Sequence, residues 1–208
     1  MPVSHWLLDG TTKKLLKRIK VNRFLDIGAG AGKYGKMVSF FHPDAEKIAV
    51  EIDETYVKDF ELEKIYNQVW VMPAINLISE KIDESYDLVI IGDCLEHMRK
   101  SEGIDLLNFL VYRSKYILIH YPDRYIQGTV DGHIHEAHIS IWSEYDFYGF
   151  DYLLIKNGFI HTYAINGYLQ NLSLINKITN TDPPIQKIFG TGKQRQVEIN
   201  REKDLMEN

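Results

Sequence analysis

The sequence predicts an α/β fold, a doubly wound sheet of five parallel strands finished by a C-terminal antiparallel hairpin, seven strands in all. Three observations carry that expectation. Apolar runs of strand length alternate with stretches of helical period. The first run leads straight into a glycine-rich turn, Asp26-Ile27-Gly28-Ala29-Gly30-Ala31-Gly32. Two late strand-like runs flank Asn166-Gly167, a dipeptide suited to a type I′ hairpin.

Taken in order, residues 1–22 form a helical cap with Leu15, Leu16 and Ile19 apolar, and Arg23 to Ile27 is the first strand. Tyr34, Met37, Val38 and Phe41 then mark one buried face of a helix that opens at the glycine turn and ends at His42-Pro43. Lys47 to Ile52 is the second strand, followed by a helix that the side chain of Asp53 can cap. Gln68 to Met72, Asp87 to Ile91 and Tyr116 to His120 supply the remaining parallel strands, with a helix after Ser101 whose Ile104, Leu107 and Val111 share a face. Ser143 and Asp146 resemble a capping box, Phe147, Phe150 and Leu154 form the stripe behind it, and Asn157-Gly158 stops that helix. The hairpin strands are Phe159 to Ile165 and Tyr168 to Ile175. One domain thus covers residues 1–178, and residues 179–208, with Asp182-Pro183-Pro184 and a mixed-charge end, read as a polar tail, mobile or loosely docked.

A chain of 208 residues, 45% hydrophobic and 25% charged, supports one sizeable core. Its net charge of −5 offers no diffuse attraction to phosphate backbones, so nucleic acid is not an expected partner. Cys94, the single cysteine, has no internal disulfide partner and suits a reducing compartment. No leader-like N-terminal pattern and no membrane-length apolar run occur, so a cytoplasmic protein without a membrane partner is expected.

Glycines at 28, 30 and 32 let the backbone approach a ligand where a Cβ would collide, and the helix they open points its N–H groups at that ligand. A dinucleotide fingerprint needs a small residue at position 33, where this chain has Lys33. Glu51, at the end of the second strand, is placed to accept both hydroxyls of a ribose. Asp53 competes for that role but equally suits a helix cap.

Phe24 to Gly35, Ile48 to Val57 and Tyr86 to Met98 together resemble the class I methyltransferases that use S-adenosylmethionine (SAM), whose bacterial members read D-x-G-x-G-x-G, then an acid, then D-x-L-E-H. The resemblance spans most of residues 23–175 and implies their Rossmann-like, seven-stranded topology. It also implies SAM as cofactor, held by Asp26, Gly28, Ala29, Gly30, Gly32, Tyr34, Glu51 and Ile52, with Asp93 and Cys94 beside its methionine part. Many members carry an acid after the third strand for the adenine; this chain has Met72-Pro73-Ala74-Ile75-Asn76, so the backbone at Ala74 and Ile75, with Asn76, is the expected contact. Gly32-Lys33-Tyr34-Gly35 and the stretch from Gln127-Gly128 to His138 also resemble methyltransferases of bacterial surface-sugar pathways.

The reaction expected from that resemblance is methyl transfer to a small molecule, with a sugar or saccharide-linked metabolite ranked first. An NAD-dependent oxidoreductase and a non-catalytic SAM-binding protein are the alternatives. A sulfonium methyl is already activated, so the protein mainly aligns the nucleophile, with a base where the acceptor is a hydroxyl or amine. His97, His120, His135 and His138 are the candidates for that base, with His120, His138 and His97 ranked as catalytic. His133, His135 and His138 share a loop with Glu136, yet one short loop rarely supplies a coordination sphere, so no metal is expected. The loop is read instead as acceptor-pocket wall, with Tyr121, Tyr125, Trp142 and Tyr145 flanking it, and Cys94 as a packing residue whose acidic neighbour argues against a thiolate.

Overall fold

The structure is a computed structural model, and it describes residues 4–123, 125–130, 132–169 and 186–190. The strands are β1 (Arg23–Ile27), β2 (Glu46–Glu51), β3 (Gln68–Val71), β4 (Tyr86–Gly92), β5 (Ser114–Pro122), β6 (Tyr152–Asn157), β7 (Ile160–Asn166) and β8 (Gln186–Gly190). They form one sheet in the order β3-β2-β1-β4-β5-β7-β6-β8. β1 to β5 are parallel, β7 enters antiparallel between β5 and β6, and β8 adds an antiparallel edge strand to β6. That edge strand falls within the stretch expected to be a polar tail. Ile27 pairs with both Val50 and Ile91, so β1, β2 and β4 end level with one another.

The helices are α1 (Asp9–Leu16), α2 (Lys33–Phe41), α3 (Glu54–Asp59), α4 (Leu77–Glu80) and α5 (Lys100–Val111). Period-two alternation sorts the strand residues onto two cores. Phe24, Leu88 and Leu118 join Leu16 of α1 and Val38 of α2, whereas Leu25, Val89 and Ile117 join Leu106 and Leu110 of α5. Both faces are covered, as a mainly parallel sheet requires. None of the helices among the described residues is long and apolar enough to cross a membrane.

The five parallel strands and the Asp53 cap of α3 form as expected, Thr55 N–H donating to Asp53 Oδ1 at 2.8 Å. The hairpin forms one element earlier than expected. Ser143 and Asp146 do make a capping box, but it opens only a single 3-10 turn at Glu144–Phe147. The run Tyr152-Leu153-Leu154-Ile155 that follows is buried on both sides as β6, a pattern that periodicity alone does not separate from a buried helix. Asn157 pairs with Ile160 across Gly158 and Phe159, and Gly158 alone of these two has a positive φ, +60°, the sign pattern of a type II′ turn. Asn166-Gly167 instead ends β7. Gly167 N–H donates to the Lys115 carbonyl at 2.9 Å and Tyr168 N–H to Val111 at 2.7 Å, so the chain is tied down beside β5 rather than reversed. The rest of the expected last strand, beyond Leu169, lies outside the described residues.

Candidate functional site

The glycine turn sits at the carboxyl end of β1, between β2 and β4, where the strand order changes direction; open α/β sheets bind ligands at such points. Gly28, Gly30 and Gly32 have φ of 72°, 47° and 73°. A Cβ on Gly28 would lie 2.7 Å from Cys94 Sγ, so only glycine lets the two loops meet. Asp26 fastens the turn from behind: it is fully buried and accepts a short hydrogen bond from Tyr66 Oη, which itself accepts from Gly35 N–H at 3.1 Å. Burial pushes the Asp26 carboxyl up to about 7, with the Tyr66 hydrogen bond acting against it.

Glu51 closes β2 with its carboxylate buried against the same turn. Oε2 accepts from Gly30 N–H at 2.8 Å, and Oε1 accepts from Ile52 N–H at 2.9 Å and Asp53 N–H at 3.0 Å. Burial raises its pKa while these backbone donors oppose the rise. An ionised carboxylate has about four acceptor sites, so three amide bonds leave capacity for a ligand hydroxyl.

After β4 the chain turns at Asp93, a non-glycine residue with φ of 47°, a conformation that costs on the order of 1–3 kcal/mol and clusters at functional sites. Asp93 Oδ2 accepts from His5 N–H at 2.9 Å. Asp93 Oδ1 is buried and has no hydrogen-bond partner among the described residues. Burial, reinforced by the carboxylates around it, pushes the Cys94 thiol up, which makes it an inert packing group. Glu96 is 3% exposed, and neither of its carboxylate oxygens has a partner among the described residues.

Two segments roof these loops. Lys33 Nζ donates to the carbonyls of Ser4 (3.0 Å) and His5 (2.9 Å) and pairs with Asp9 (2.5 Å), holding the N-terminal segment down. On the other side Tyr56 Oη donates to Glu136 at 2.9 Å, and His133 Nδ1 and His135 Nε2 lie 3.0 and 3.2 Å from Asp53 Oδ2. His97 Nδ1 donates to the Ala137 carbonyl at 3.2 Å and His138 Nδ1 to the Tyr125 carbonyl at 2.8 Å. The space enclosed has a volume of about 500 Å³, in the range of small-molecule sites.

The sequence matches no protein-family model and no curated protein. The structure is similar to that of an O-methyltransferase family protein from Burkholderia thailandensis, with a TM-score of 0.56 at 11% identity over 77% of this chain and 56% of that one. A SAM-dependent methyltransferase from Archaeoglobus fulgidus gives 0.57 at 18% identity over 76% of this chain and 91% of that one. The plantazolicin methyltransferase BpumL, solved in complex with SAH (the demethylated cofactor), gives 0.55 at 15% identity over 76% and 80% of the two chains. The chain has the class I methyltransferase fold. It spans little more than half the length of the Burkholderia protein.

Within that methyltransferase fold, Gly28, Ala29, Gly30, Tyr34, Glu51, Ile52, Asp93 and Cys94 line the cavity, and so do His97, His135 and His138. Asp26 and Gly32 do not; they lie behind the turn and at the start of α2. Ala74 and Ile75 also lie off the cavity, in a 3-10 turn, and the Asn76 side chain donates to Glu80 at 2.9 Å. His120 is displaced from the expected role as base. Its ring lies under Tyr34 at 5.4 Å, with Nδ1 2.6 Å from Thr162 Oγ1 and Nε2 3.3 Å from Thr12 Oγ1. Burial pushes it down to about 3, so it is a neutral core histidine whose nitrogens are both engaged. Of the expected aromatic wall only Tyr125 lines the cavity. Tyr121 and Trp142 are core, and Tyr145 is exposed. Sequence reasoning missed Ser4, His5 and Tyr56, and gave no role to Glu96, whose signal is its place as the acid in the D-x-L-E-H pattern.

Proposed function

We propose that this chain is a SAM-dependent methyltransferase whose acceptor is a small hydroxyl-bearing molecule, with a sugar or saccharide-linked metabolite as the leading class. The observation that carries the cofactor half is the meeting of two carboxylates and the glycine turn in one cavity: Glu51, buried and bonded to Gly30 N–H, and Asp93 with a buried, unpartnered Oδ1 among the described residues. These residues fit the cofactor. Glu51 would take a ribose hydroxyl, the turn would pass close to the sugar and the methionine part, and Asp93 Oδ1 would accept from the amino group. When bound, SAM would supply an activated methyl on a sulfonium: the acceptor oxygen would bond to that carbon in line as the carbon–sulfur bond breaks, its electron pair leaving on sulfur and the hydroxyl proton passing to solvent. The protein's share is to exclude water beneath the two roof segments and to align the acceptor. The net negative charge and the polar rim of Tyr125, Gln127 and His138 support a small neutral acceptor rather than a phosphate backbone.

Calorimetric titration with SAH tests the cofactor half. The intact protein is expected to bind it, and Glu51→Ala to bind at least about tenfold more weakly, in line with loss of one charge-assisted hydrogen bond. No binding by the intact protein, with NADH giving thermal stabilisation instead, would reverse the reading.

A further inference from the structure

We infer that Glu96, His97 and His138 form a binding site for a divalent transition-metal ion at the acceptor end of the cavity. The acceptor role given to the ion rests on the methyltransferase reading above; the binding of the ion does not.

The donor atoms of these three residues lie within 4.8 Å of one another, and all three line the cavity. Glu96 is the reason to look further. A carboxylate withdrawn from water is costly unless something compensates it, and here neither oxygen has a hydrogen bond or an ion pair among the described residues. A cation supplies that compensation. The histidines are prepared for one. Each Nδ1–H donates to a backbone carbonyl, His97 to Ala137 and His138 to Tyr125, which fixes the tautomer and leaves Nε2 of each ring as a lone-pair donor. That is the outer shell that orients metal-binding imidazoles. The two halves of the cluster are also stitched together, since Ile139 and Ser140 N–H both donate to the Glu96 carbonyl, at 2.8 and 3.1 Å.

The other histidine–carboxylate group, Asp53 with His133 and His135, is different in kind. Asp53 already caps α3 through Thr55 and accepts from His133 Nδ1 at 3.0 Å, so its carboxylate has the partners that Glu96 lacks and pins the roof to α3, while His135 Nε2 lies 3.2 Å from it without a hydrogen bond among the described residues. Two imidazoles and one carboxylate favour Zn²⁺, Mn²⁺, Fe²⁺ or Co²⁺ over Mg²⁺ or Ca²⁺, and three protein ligands leave positions open toward the cavity. An acceptor oxygen placed there would be held and polarised without a histidine base.

The test uses the full chain, stripped with a chelator and titrated calorimetrically with Mn²⁺ and Zn²⁺, with Co²⁺ absorption as a second readout. One ion per chain is expected, with visible Co²⁺ bands. Glu96→Gln and His138→Ala should each lose metal affinity by more than about tenfold. Both should keep the melting temperature of the stripped protein and its SAH affinity, which separates loss of the site from misfolding. His133→Ala should bind the ion as the wild type does. Absence of metal binding by the wild type, wild-type binding by Glu96→Gln and His138→Ala, or loss of binding in His133→Ala would overturn the assignment. Metal binding without SAH binding would remove the cofactor reading and leave the metal site standing.

Discussion

Asp26 shows how a motif residue can hold a turn in place without lining the cavity beside it. Its carboxyl is fully buried behind the glycine turn, joined to Tyr66, with Oδ1 unpartnered among the described residues. Its folded pKa, about 7, lies above the ordinary value of 3.8, so the native state favours the protonated form. The stability it contributes is therefore fully present below about pH 4 and is lost as pH rises through about 7. Asp26→Asn, which keeps the acceptor for Tyr66 and never ionises, should remove that dependence. Urea unfolding at about pH 5 and about pH 8 measures it: the wild type should lose on the order of 1–3 kcal/mol relative to the variant between the two. A difference between wild type and variant that stays constant across that range would mean the carboxyl is ionised throughout.

At the scale of elements, two Asn-Gly pairs carry opposite lessons. Gly158 turns the β6–β7 hairpin with a positive φ of 60°, and the nearest atom to an added Cβ, Leu7 Cδ1, is 4.0 Å away. Gly167 makes no hairpin; its Cβ position is occupied by the Ser114 carbonyl. Gly158→Ala should accordingly cost about 1 kcal/mol through backbone strain alone. Gly167→Ala should cost about 3 kcal/mol, because main chain must move to admit the methyl. Equilibrium unfolding of the two variants checks the ranking, and equal costs would contradict it. The same contrast explains what was legible in the sequence. β1 to β5, the glycine turn and Glu51 announce themselves through local patterns, an apolar run and what immediately follows it, and Asp93 through the resemblance to the methyltransferase motif. The dipeptide Asn-Gly reports a tight bend but not which strands flank it, and Tyr152 to Ile155, buried on both sides, has no period to tell strand from helix. The roof was illegible for another reason. His5 meets Asp93 across 88 residues and His133 meets Asp53 across 80, and no spacing rule encodes such contacts.

Those long-range contacts make the site a property of the whole molecule. The floor comes from the level ends of β1, β2 and β4, which are rigid because strands on both sides and helices on both faces hold them. The roof comes from residues 4–5, clamped by Lys33, and from the loop holding Tyr125 to His138, pinned through Asp53 and Tyr56. A ligand in the cavity touches floor and roof together, so its binding energy adds to the local stability of segments far apart in the chain. Hydrogen exchange with and without SAH should therefore show protection at residues 28–32 and 51–53 and also at 4–8, 125–130 and 132–138. Lys33→Met should abolish the protection at 4–8 while leaving that at 28–32, since the lysine holds the segment and not the turn. Protection confined to the floor would show that the two roof segments move independently of the cofactor.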